Sequence, residues 1–145
     1  MKRFITAMVL VSAFMLFSAG AALAVSSVPD LTGKWKSRSF AHHHELKGFY
    51  SQPGPDGEWV VKKQEGRFFY GERTYTPKYI SSSKVTEGFS GVISRDGMHV
   101  YIVDHDADLL MGDILPDGSI ELILMNDGDQ NGHSRIGLVE IERVR

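Results

Sequence analysis

The sequence predicts an all-β fold, a single antiparallel up-and-down barrel of about eight strands. Two patterns carry this reading. Asp56-Gly57, Glu65-Gly66, Asp96-Gly97, Asp117-Gly118 and Asp127-Gly128 punctuate runs rich in Val, Ile, Tyr, Phe and Thr. Glycine supplies the positive φ of tight hairpins, and the acidic residue tolerates or caps the turn. After Ala24 no window shows the 3.6-residue apolar period of a helix. Short successive hairpins favour next-neighbour pairing, and closing such a meander removes both exposed edges.

Residues 1–24 read as a cleavable export signal. Lys2 and Arg3 precede an apolar run from Phe4 to Phe17, and Ala22-Leu23-Ala24 offers the small residues a signal peptidase requires. The remaining 25–145 make one domain, exported to the periplasm or secreted. Strands are expected at 31–41, 46–51, 58–64, 67–76, 84–94, 98–105, 108–115, 119–126 and 134–145. Pro77 stops the fourth and Ser81-Ser82-Ser83 bridges to the fifth. There is no cysteine, so no disulfide framework is expected. Without Lys2 and Arg3, 14 of the 16 basic residues face 18 acidic ones, a net charge of −4. An acidic chain without basic clusters is a poor partner for nucleic acid or, after signal cleavage, for a membrane.

Alternation along a strand sorts side chains by face. With Trp35 inward, Gly33, Ser37, Ser39 and Ala41 share its face, while Lys34, Lys36 and Arg38 face water. One large ring followed by small residues suggests space above it. In the last strand Gly137, Val139, Ile141 and Arg143 share a face. Arg143 then points inward, where its guanidinium can lie on the Trp35 ring. The runs Val100–Val103, Leu109–Met111 and Ile120–Met125 are apolar on both faces apart from Glu121. A water-facing strand should alternate, so a covered outer face is expected, with a second copy as the cover.

Leu31-Thr32-Gly33-Lys34-Trp35 and Ile141-Glu142-Arg143-Val144 resemble the opening and closing strands of the calycin barrels, the group of avidins and lipocalins. The mature length suits an avidin-type barrel, and the resemblance implies a barrel that binds something small. The avidin biotin residues do not carry over. Ser37 stands where avidins have the asparagine that binds the ureido oxygen, Ala41 replaces a serine, and Trp59 is the only further tryptophan.

Metal-like chemistry gathers in three places. His42 and His44 share one face of an extended strand and could chelate a transition metal, with Glu45 beside them. Asp104-His105-Asp106-Ala107-Asp108 could hold calcium, or with His105 a transition metal; capping of a turn is the plainer role. Asp127, Asp129 and Asn131 match the opening of a calcium loop, but its closing glutamate position is Leu138. Enzymatic machinery is not evident: Ser90 lies in Glu87-Gly88-Phe89-Ser90-Gly91 with no assignable base, and no nucleotide-binding loop is present.

The leading functional expectation is an exported barrel holding a small apolar or amphipathic molecule, with Trp35, Ser37, Ser39, Tyr101 and Arg143 as contacts. One alternative is a metal-binding periplasmic protein or enzyme using His42, His44, His105 and His133. The other is a structural or interaction barrel with a solid core, working through apolar outer strands.

Overall fold

The computed structural model describes residues 28–53, 57–76, 83–105, 108–128 and 133–145, with backbone alone at Ser39, Phe40, Gln52 and Pro53. The expected signal at 1–24 lies outside the described residues. Nine strands follow one another: β1 (Gly33–His44), β2 (Gly48–Pro53), β3 (Gly57–Glu65), β4 (Phe68–Tyr75), β5 (Val85–Ile93), β6 (His99–Asp104), β7 (Leu109–Ile114), β8 (Ile120–Asn126) and β9 (Arg135–Arg143). Every pairing is antiparallel. The sheet closes because β1 pairs with β9, so β1 and β3 to β9 form an eight-stranded barrel.

β2 is an additional arm. Gly33–Lys36 of β1 pair with β3, whereas Ser39–His44 pair with β2 on that same edge. The arm therefore continues the wall where β3 leaves off. The hairpin turns follow the sequence signals. Gly66, Gly97 and Gly118 take φ of 57°, 76° and 82° and close β3–β4, β5–β6 and β7–β8 at one end of the barrel.

That end is plugged as the sequence predicts. The Trp35 indole is 2 % exposed and its Nε1–H donates to the Leu31 carbonyl at 2.9 Å. The Arg143 guanidinium carbon sits 4.7 Å from the ring centroid. Arg143 also donates from Nη1 to the Thr32 carbonyl at 2.6 Å and from Nη2 to the Asp30 carbonyl. A cation above an aromatic face, bonded to two carbonyls, ties the last strand to the segment entering the first.

The phase of β1 changes after Ser37. A bulge at Arg38 makes Ser37 face Ile141 but Ser39 face Glu140. One extra residue on one strand reverses the facing of everything beyond it. Ala41 consequently pairs with outward Leu138, and the inward positions pass to His42 and His44, opposite Gly137 and Arg135. The expected inward run of Ser37, Ser39 and Ala41 is thus broken after Ser37.

Above the plug the interior is filled. Trp59, Val61, Phe69, Phe89, Ile93, Val100, Ile102, Leu110, Ile120, Leu122, Val139 and Ile141 pack into one apolar core. The space left among them is about 20 Å³, little more than one water occupies. Two phenylalanines do much of the filling, each lying across a glycine on the paired strand. Phe89 faces Gly71, and Phe69 faces Gly91. A Cβ on Gly71 would come within 1.9 Å of the Val60 carbonyl oxygen and 2.7 Å of the Phe89 ring.

Gly71→Ala must therefore displace both a strand backbone and a core ring. We expect a loss of roughly 1–3 kcal/mol or more, read as a lower urea midpoint at unchanged m-value. Wild-type stability in this variant would contradict the packing described.

Candidate functional site

Two regions outside the apolar core carry distinctive chemistry. The first is a buried charged layer at the barrel end opposite the Trp35 plug. It is built from the upper ends of five strands and their connections. Arg73 on β4 points inward at 7 % exposure. Its Nε and Nη2 both donate to Glu87 Oε2 on β5, at 3.1 and 2.9 Å. Nη2 also meets Asp104 Oδ2 on β6, and Asp108 Oδ2 at 3.2 Å. The Arg73 guanidinium carbon lies 5.6 Å from the Trp59 centroid and 5.0 Å from that of Tyr75. Tyr75 donates its hydroxyl to Glu87 Oε1 at 2.6 Å. Asp108 in turn accepts from Arg135 Nη2 at 2.9 Å and from the Asn126 amide.

This layer holds three carboxylates, Glu87, Asp104 and Asp108, against two guanidiniums, Arg73 and Arg135. Burial pushes the Asp104 carboxyl above its ordinary range; Arg73 opposes this, and neighbouring Asp108 and Glu87 add to it. Desolvation is the larger effect because the Asp104 side chain has no solvent contact. His42, entering the same end from β1, is held below the usual imidazole range, chiefly by burial and then by Arg135.

The second region is the outer wall. Its strand registers align two apolar rows. Tyr101, Met111, Ile123, Leu138 and Ala41 stand opposite one another across β6, β7, β8, β9 and β1, ending at Ser51 on β2. Val103, Leu109, Met125, Ile136, His43 and Phe49 form the row above. The large members other than half-buried Met125 are open to solvent: Tyr101 and Leu138 at 44 %, Leu109 at 51 %, Phe49 at 91 %. Where β2 continues the wall, Ala41, His43, Phe49, Ile123, Ile136 and Leu138 line an open groove of about 610 Å³. The flank formed by β1, β3, β4 and β9 below is different, carrying the exposed ion pairs Lys36–Glu142, Arg38–Glu140 and Lys62–Glu72.

The residues singled out from the sequence are scattered between these regions. Trp35 and Arg143 form the plug, away from the charged layer. Ser37 is buried, with its Oγ against Gly57. Ser39 is opposite Glu140 in register, and its side chain is outside the described groups. Tyr101 is a correction. Val100, Ile102 and Asp104 take the inward phase of β6, which leaves Tyr101 on the outer wall rather than lining the interior.

His42 and His44 do share the inward face. His44 Nδ1 accepts the Leu46 amide at 3.1 Å. The His133 ring is 6.2 Å from that of His44 and its Nδ1 is 3.7 Å from Glu45 Oε2. The His105 ring instead lies over Gly88 on β5. Among the described residues, no three histidine or acidic side chains converge on a metal-sized space. Asp127 is exposed, and Asp129 and Asn131 lie outside the described residues. Asp104 and Asp108 were legible as a turn; Asp108 N–H does bond Asp104 Oδ1 at 3.0 Å. Arg73, Glu87 and Arg135 escaped the sequence reading. Their signal is a charge in the apolar phase of a strand, such as Phe69-x-Gly71-x-Arg73.

No protein-family model and no curated protein matches this chain. Among solved structures it is similar to a redesigned β-barrel, with a TM-score of 0.50 and 10% identity over 84% of this chain and 98% of that one. The likeness concerns the fold alone, a closed antiparallel barrel.

The charged layer makes two predictions. Arg73→Met leaves three buried carboxylates with only Arg135, and should cost about 3–5 kcal/mol in denaturant unfolding; a change below 1 kcal/mol would refute the burial of that network. For Asp104 the sign follows from its raised folded pKa. Between its unfolded value near 3.8 and the higher folded value, the native state binds more protons, so its contribution falls as pH rises. The stability of wild type relative to Asp104→Asn should therefore decline from pH 3.5 to 7, and a difference independent of pH would contradict this.

Proposed function

We propose that this chain is an interaction barrel: a solid, exported scaffold that binds a macromolecular partner through the apolar outer wall of β6–β9, β1 and β2. The carrying observation is the pair of exposed apolar rows, uninterrupted by charge across those strands. Monomeric soluble proteins seldom leave so continuous an apolar surface uncovered, and such patches mark interaction sites. The filled interior supports the same reading. An organic ligand occupies a cavity of roughly 300–1,000 Å³, whereas the apolar core retains about 20 Å³. The charged layer then serves architecture, satisfying the strand ends beneath the longer connections.

The test is a paired replacement on the outer wall, Ile123→Lys with Leu138→Lys. Both positions are exposed, so thermal unfolding should stay within a few degrees of wild type. In the exported fraction of its own host, wild type should migrate in a complex larger than the monomer, and the variant should lose that complex. A variant that keeps every association of the wild type would sink the proposal.

A further inference from the structure

We infer that β2 is an acid-released strap: on mild acidification the arm detaches from β1 while the eight-stranded barrel stays closed. Two features carry this. The first is how lightly the arm is attached. Among the described residues β2 pairs with β1 alone, over Ser39–His44, whereas the barrel closes through β1 with β3 and β9. A lone two-stranded hairpin is marginal in water, and elements with few buried contacts open locally at low cost. Phe49 in the arm and Leu46 in its turn are open to solvent. Release of the arm leaves every barrel pairing in place.

The second feature is the chemistry of the attachment. Three successive histidines of β1 make ring and turn contacts to the arm. The His42 ring lies 5.1 Å from the Tyr50 ring on the inward side, and the His43 ring 4.6 Å from that of Phe49 on the outer side. His44 Nδ1 accepts the Leu46 amide, and the His44 carbonyl accepts the Lys47 amide at 3.1 Å. Histidine is the side chain whose charge changes in mildly acidic solution.

His42 stands where a positive charge is unwelcome. It is half-buried, and it faces Arg135 from β9, His43 and His44 on its own strand, Lys47 from the turn and Tyr50 from the arm. The described acids at this end are Glu45, beside His133 and bonded to the Ser134 amide, Asp108, shared by Arg73, Arg135 and Asn126, and Asp104 and Glu87 on Arg73. Burial first, then Arg135, holds the attached His42 below the ordinary imidazole value of 6.5. In the detached arm the ring is hydrated and recovers that value, so between the two values the detached form binds more protons. Acid therefore drives release, from about pH 6.5 downward. A charged imidazole gains from an aromatic face, so His43 on exposed Phe49 weakly opposes the release. The release is a property of β1 and β2 themselves, independent of whatever the outer wall binds.

Amide hydrogen exchange of the purified chain, read by mass spectrometry, provides the test. Between about pH 7.5 and about pH 5, corrected for the intrinsic pH dependence of exchange, protection across 45–51 should fall about tenfold, while β5 and β8 keep theirs. His42→Phe keeps a ring against Tyr50 and removes the titration, so its arm should lose no more than about twofold. Should His42→Phe lose protection in β5, and so fail to fold, His42→Gln takes its place. Three results overturn the inference. One is arm protection that does not change with pH. Another is an equal loss in β5 and β8, which would be general unfolding. The last is a His42 variant that keeps the full response of wild type, which would move the sensor to other side chains.

Discussion

Closure between the first and last strands is the constraint on which everything else in this barrel depends. β1 must serve three neighbours: β3 on one edge below, β2 on that edge above, and β9 along the other edge. Only a strand as long as Gly33–His44 can do so. The bulge at Arg38 reconciles these demands by adding local twist where the edge changes partner. It also decides which chemistry points where, sending His42 and His44 inward and Ala41 into the outer groove.

The interior is divided by chemistry along the barrel axis. Below lie the plug and the apolar core; above lies the ionic layer around Arg73 and Asp108. Buried ion pairs are seldom the most stable filling, since desolvation offsets much of their attraction. Here each carboxylate contacts a guanidinium, and Arg73 additionally rests near two aromatic rings. Such multiple, directional bonds tolerate few alternative registers, so the layer fixes how the upper strand ends assemble.

The strand order and boundaries were legible because their causes are local. Asp96-Gly97 and Asp117-Gly118 announce their turns through backbone requirements that need no distant partner. The plug was legible too, because alternation places Trp35 and Arg143 on inward faces near opposite ends of the chain. What escaped the sequence depended on distant residues. The Arg38 bulge exists only relative to β9, so alternation counted from Trp35 misplaced Ala41. Tyr101 lies in a run apolar on both faces, where composition offers no contrast to choose a phase. The charged layer draws single residues from separate strands, each unremarkable until the inward phase is known. The exposed apolar outer face, by contrast, was signalled by those same two-sided runs.

A barrel sealed by its first and last strands has a consequence for its birth. The pairing of Trp35 with Arg143 joins the first strand to the ninth, so a growing polypeptide cannot complete the cylinder until β9 has emerged. Until then both borders of the meander are open, and strands dominated by distant pairing form slowly. Nascent copies thus share an interval of vulnerability to edge-to-edge association, which ends abruptly when the final strand arrives.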